Sequence, residues 1–269
     1  MTKGEKSANE WGRLIEKVKC ANCGKCNRRP ANRGDINFKV LIDRPGSTRN
    51  IKYVFVSQDP ASFYTKPENS VKFPNSERIE DSFVKSARKE GEDGDYRMTK
   101  RGTPKKSNVL NLAARIIDRD SFDPSSDEVY WTHALKCPPL APRKSKDATK
   151  SNQGGNPSII KDWPEATKCR EEFLKNEFET IQSPGFTIVA IGGCAYGLCR
   201  DALGMAPGKS IDAAMNDVAN RKRLEIPDEP FAGKTIALAP LIHPSYAVYG
   251  HHYPERLFSL IRAETIGRR

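Results

Sequence analysis

The run Lys52-Tyr-Val-Phe-Val-Ser57 decides the fold. Four apolar residues in succession, two of them β-branched, fit a strand buried on both faces and not one that turns alternate residues to water. The run stops at Gln58-Asp59-Pro60, where the proline fixes φ, withholds an N–H and turns the chain into a loop. Three further stretches read the same way: Glu128-Val-Tyr-Trp-Thr-His-Ala-Leu135, Phe186-Thr-Ile-Val-Ala-Ile191, and residues 235–242, which run into His243. Helical spacing occupies residues 108–117 and 164–181, the latter with Pro164 suited to a first turn; it returns from Ala195, after Gly192-Gly193, and from Pro254. Strands alternating with helices predict a three-layer α/β fold, a central and mainly parallel four-stranded sheet with helices on both faces. In such sheets ligands bind beyond the carboxyl ends of the strands. The residues at those ends are Gln58-Asp59-Pro60, His133, Gly192-Gly193 and His243, so two of the four histidines converge with an aspartate on one rim.

Outward from this frame, 269 residues suffice for one domain with a substantial core, and a single domain over residues 1–269 is expected. Residues 66–106 carry eleven basic and eight acidic side chains, and residues 143–161 five basic and one acidic; both read as polar surface insertions. A helix over residues 11–18, a short strand over 38–42 and a helix over 79–89 complete the expected elements. The net charge of +11 favours a polyanionic partner, nucleic acid first. No apolar stretch approaches the roughly twenty residues of a membrane span, and the N-terminus lacks the apolar segment of a secretory signal. A cytoplasmic protein without a membrane partner, acting as a monomer, is the expectation.

Seven cysteines are present, three of them in Cys20-Ala-Asn-Cys23-Gly-Lys-Cys26. That spacing, without an export signal, points to a metal or a cluster instead of disulfides. Thiolate chemistry alone allows a four-cysteine zinc site as readily as an iron–sulfur cluster. Cys23/Cys26 is a second CxxC, so the register of the pair stays open. Cys194 and Cys199 fall on an apolar helical stretch and are expected to be buried free thiols.

Several segments are similar to one known family. Val129-Tyr-Trp-Thr-His-Ala-Leu-Lys-Cys137-Pro-Pro resembles the "VYITN-VKCRPP" segment of the iron–sulfur uracil-DNA glycosylases, families 4 and 5. Trp163-Pro-Glu-Ala-Thr-Lys-Cys169 resembles the "P-EA--C" segment that follows it, Val189-Ala-Ile-Gly-Gly the strand and turn after that, and Leu241-Ile-His243-Pro-Ser-Tyr the "HPs/HPaY" motif. With the N-terminal CxxC, five segments occur in the family's order. Two positions depart from the pattern. Ser57-Gln58-Asp59-Pro60-Ala61 looks more like the "GQDPYH" loop of family 1 than the "GEGPG" of family 4, and His133 stands where the family has asparagine. A base-stacking phenylalanine of the family aligns with the neighbourhood of Lys105.

The resemblance implies a uracil-DNA glycosylase-like fold and a monofunctional DNA glycosylase that acts on a flipped base. It implies a [4Fe–4S] cluster on Cys20, Cys23, Cys137 and Cys169. Cleaving an N-glycosidic bond develops a cationic sugar and an anionic base, so a site needs a carboxylate near the first and a donor near the second. Asp59 fits the carboxylate, although Asp-Pro also favours a plain Asx-turn; His243 fits the donor. Gln58, Pro60, Ala61, Ser62, Tyr64, His133 and Ser245 are the candidate pocket residues. Tyr246, Val248 and Tyr249 are candidates to fill the gap left by the flipped base. The exchange of asparagine for His133 and the small Ala61 together predict an altered substrate, a modified or deaminated pyrimidine, in base-excision repair or in attack on foreign DNA. An alternative is a non-catalytic iron–sulfur nucleic-acid-binding protein of the same fold.

Overall fold

The computed structural model describes residues 49–58, 109–119, 126–135, 170–243 and 253–266. Four strands form one parallel sheet: β1 (Tyr53–Ser57), β2 (Val129–His133), β3 (Gly185–Ile191) and β4 (Thr235–Leu241), in the order β2-β1-β3-β4. All four expected strands are present, and the doubly covered α/β sheet is as the sequence predicts. The helices are α1 (Val109–Ile116), a π-helical turn at Arg170–Leu174 leading into α2 (Lys175–Thr180), α3 (Gly193–Ala202), α4 (Ile211–Arg221) and α5 (Glu255–Ile266). The sequence predicts one continuous helix over 164–181; of its described part, the first turn is π-wound and the α-helix ends at Thr180. The expected elements at 11–18, 38–42 and 79–89, and both polar insertions, lie outside the described residues.

Side-chain parity sorts the core into two layers. Val54 and Val56 of β1, Ile188 and Ala190 of β3 and Ile236 and Leu238 of β4 pack with Phe173, Leu174 and Phe178 and with Ala195, Leu198 and Cys199 of α3. Their neighbours Tyr53, Phe55, Val189, Ile191, Ala237 and Ala239 pack on the opposite face against Leu112 and Ile116 of α1 and Leu257, Phe258 and Ile261 of α5. The strand residues are buried whichever way they point, which explains apolar runs without alternation. Cys194 and Cys199 are buried free thiols, as expected.

α4 serves both layers: Ala214 joins the first, Met215 and Val218 the second. It therefore wraps the edge at β4, and Glu225 then bridges antiparallel to Leu238, covering edge hydrogen bonds that would otherwise face water. The step from β1 to β2 uses the α1 face, while the opposite steps, β2 to β3 and β3 to β4, use the other face through α2 and α3. One crossover hand throughout demands that switch. On the α2 side, the fully buried Thr132 donates from Oγ1 to Oε2 of the fully buried Glu177 at 2.7 Å, so a carboxylate inside the core is held against β2.

Candidate active site

The carboxyl ends of the four strands build the site. β1 and β2 run in register from Tyr53↔Val129 to Ser57↔His133, so His133 sits directly beside Ser57 at the rim. The pairing continues past the strands, with Ala134 N–H donating to the Ser57 carbonyl and Leu135 N–H to the Gln58 carbonyl, both at 2.8 Å. Gln58 is therefore fixed at the point where the chain leaves for Asp59. His133 is 5 % exposed, and its Nδ1 lies 2.6 Å from Ser57 Oγ. Trp131, one strand pleat below, stacks on Phe55 at 5.3 Å and donates from its indole N–H to the same Ser57 Oγ at 3.4 Å.

On the other side, β3 and β4 pair as far as Ile191↔Leu241. Gly192 turns the chain into α3 with φ +93° and ψ 154°, a conformation that essentially only glycine adopts. Its N–H donates to the Leu241 carbonyl at 2.7 Å, and Tyr253 O–H donates to the Ile242 carbonyl at 2.8 Å. Both bonds clamp the backbone just ahead of His243. A side chain at 192 would stand in ordinary contact with the His243 Cβ, at 3.7 Å, so it is the backbone conformation that calls for glycine here. α3 starts one residue further on, which brings the positive end of its dipole to the same rim.

Burial lowers the pKa of His243 below the ordinary histidine value. The imidazole is therefore neutral at pH 7, a form in which it donates one N–H and carries no charge. The sign of the linked stability follows. Below the unfolded pKa of about 6.5 the unfolded chain takes up a proton that the folded chain resists. Stability contributed at this residue is intact at pH 7, declines as the pH falls below that value, and stops declining once the folded pKa is passed. Urea unfolding at pH 7 and pH 5 is expected to show a larger loss for the wild type than for His243→Asn, and equal losses would contradict the burial effect.

His133 and His243 follow strands with the same side-chain parity, two positions beyond the buried Trp131 and Leu241. His133 ends β2 and His243 lies two residues past β4, three strand spacings away, roughly 14 Å between backbones. No group of three or more metal-binding side chains occurs among the described residues.

Residues 45–262 match the Uracil DNA glycosylase superfamily. The chain belongs to that superfamily. Its members act on DNA and cleave N-glycosidic bonds, so the expected enzyme class holds at that level. The match is to the superfamily as a whole, and no curated protein matches the chain. No helix among the described residues is long and apolar enough to cross a membrane.

Within this glycosylase-superfamily frame, the described structure brings together Gln58, His133 and His243 of the residues singled out in the sequence. Asp59, Pro60, Ala61, Ser62, Tyr64, Lys105, Ser245, Tyr246, Val248 and Tyr249 lie outside the described residues, as do Cys20, Cys23, Cys26, Cys137 and Cys169. Sequence reasoning did not single out Ser57 or Tyr253 as supports of the site. Ser57 is the one polar residue closing the apolar run of β1, which is the signal it offered. A separate cleft of about 510 Å³ lies at the β4 edge between α3, α4 and residues 224–228. Ion pairs line it: Arg200 with Glu225, and Lys209 and Arg221 with Asp217. Burial and Glu225 together raise the pKa of Tyr196, so its phenol stays a proton donor. This cleft reads as a structural seam.

Proposed function

We propose that the protein is a monofunctional DNA glycosylase that hydrolyses the N-glycosidic bond of a flipped, modified or deaminated pyrimidine and leaves an abasic site. The observation that carries this reading is the placement of His133 and His243 at opposite sides of one rim, with Gln58 between them leading into Asp59. Water adds at C1′ as the base departs with the bonding electrons, and the proton that the water sheds ends on the released base. The Asp59 carboxylate stabilises the sugar cation and orients the water; neutral His243 donates to the O2 of the leaving base. His133 reads the edge of the base, and Pro60, Ala61, Ser62, Tyr64 and Ser245 line the pocket. Tyr246, Val248 and Tyr249 enter the duplex where the base has left. No lysine is assigned a Schiff-base role, hence the monofunctional assignment.

The thiolates Cys20, Cys23, Cys137 and Cys169 are the donor set that a [4Fe–4S] cluster takes. Cys137 lies two residues after Leu135, and Cys169 precedes Arg170; Leu135, Phe173 and Leu174 share one core layer. Bound there, the cluster would join distant parts of the chain, with no redox step in the reaction.

The test is strand cleavage by alkali after incubating the full-length protein with oligonucleotides that carry uracil, thymine or C5-substituted pyrimidines. Release of none of these bases would sink the reading. An asparagine offers a uracil edge a donor and an acceptor side by side, whereas one imidazole nitrogen offers a single group. A buried hydrogen bond left unmade costs about 1–3 kcal/mol, one to two decades in rate. Uracil is therefore expected to be a poor substrate, and His133→Asn to raise its excision while lowering that of the preferred base. Wild-type protein that removes uracil fastest of all would contradict this.

A further inference from the structure

Ser57 Oγ has two partners among the described residues, the indole N–H of Trp131 and Nδ1 of His133. An indole nitrogen only donates, so it occupies an acceptor site of the hydroxyl and leaves the hydroxyl proton to be placed. His133 Nδ1 is the acceptor that the described residues offer it. A hydroxyl proton pointing at Nδ1 requires that nitrogen to be unprotonated, and a neutral imidazole then carries its proton on Nε2. The Trp131 ring cannot turn away, since it is 4 % exposed and stacked on Phe55. Nor can the two backbones slip, because Ser57 and His133 are register partners whose strands stay paired beyond them.

We propose that Ser57, oriented by Trp131, is a positioning residue that locks His133 as the Nε2–H tautomer, so that His133 offers a bound base a hydrogen-bond donor and no acceptor. The tautomer rests on the geometry alone; its use in choosing a base rests on the glycosylase reading above. Under that reading the favoured base presents an acceptor to His133 at an unprotonated N3, as a cytosine does. The N3–H of uracil or thymine gains nothing from this residue. Ser57→Ala removes the lock, lets the ring take either tautomer, and lets Nε2 accept from N3–H.

The experiment has two arms on the full-length protein. In the first, 15N-histidine labelling reads the His133 ring, assigned by its disappearance in His133→Asn. The wild type is expected to show the Nε2–H signature, Ser57→Ala a mixture of tautomers, and Ser57→Thr, which keeps the hydroxyl, the wild-type signature. A wild-type Nδ1–H or doubly protonated ring would overturn the proposal, and so would a Ser57→Ala spectrum identical to wild type. In the second arm, oligonucleotides carrying uracil, cytosine, 5-hydroxymethyluracil or 5-hydroxymethylcytosine are compared. Ser57→Ala is expected to shift the preference between the better of the two cytosine substrates and uracil by about tenfold towards uracil, the worth of one buried hydrogen bond. An unchanged preference with the expected tautomer overturns the role in base choice. Excision of none of the four counts against the glycosylase reading, while the first arm still decides the tautomer.

Discussion

Asp59→Asn is expected to lower single-turnover excision of the preferred base by roughly two orders of magnitude or more while DNA affinity, measured at one fixed salt concentration, stays close to wild type. The substitution keeps the size of the side chain and removes its charge. A ground-state complex held mainly by phosphate contacts barely registers that change. The transition state does, because positive charge appears on the sugar as the bond breaks. Under the proposed function Asp59 carries the compensating charge; Leu135 N–H pins the Gln58 carbonyl one residue earlier, at the end of β1 between β2 and β3. His243→Ala is expected to cost a similar factor for the opposite reason, the loss of the donor to the departing base. Full activity of Asp59→Asn on the preferred base would show that the loop after β1 works by other means than a carboxylate.

The strands were legible because each is a short apolar run bounded by turns, and burial on both faces is written directly into such runs. Their order was not, since nothing local in Tyr53–Ser57 states that Val129–His133 lies on one side and Gly185–Ile191 on the other. α4 was overlooked although it carries its own signals. Ser210 caps it by accepting from Ala213 N–H, and Ile211, Ala214, Met215 and Val218 recur at helical spacing. Attention to strand ends passed over a helix whose work is to close the sheet's edge. Glu177 illustrates a different limit. A glutamate in a helix with charged neighbours reads as solvent-facing, and its complete burial follows only from the position of Thr132 on a strand 45 residues away. The rim histidines were found from their place at strand ends, but the tautomer of His133 depends on Ser57 and Trp131, which meet it only through strand register. Residue types announce a site; register decides what each residue can donate or accept.

Full-length protein purified without oxygen is expected to be brown and to hold about four iron and four sulfide per chain. Cys137→Ala or Cys169→Ala should lose the iron and much of the soluble yield. Binding free energy at such a site is also folding free energy when the ligands come from segments far apart in sequence. Here the pair at Cys20 and Cys23 precedes the first strand, whereas Cys137 and Cys169 flank elements on either side of a long basic insertion. Under the cluster reading, losing one ligand would remove a cross-link between these segments. Cys194→Ala and Cys199→Ala form the control: both thiols are buried in the core layer under α3, so these variants should keep full iron while paying at most a modest packing cost. Iron and sulfide assays on all four variants check the pattern. Colourless wild-type protein with one zinc per chain would replace the cluster by a tetrahedral thiolate site, a change of metal that leaves the same four cysteines in charge of the same cross-link. Iron that survives Cys20→Ala but not Cys26→Ala would instead move the register of the N-terminal pair to Cys23 and Cys26.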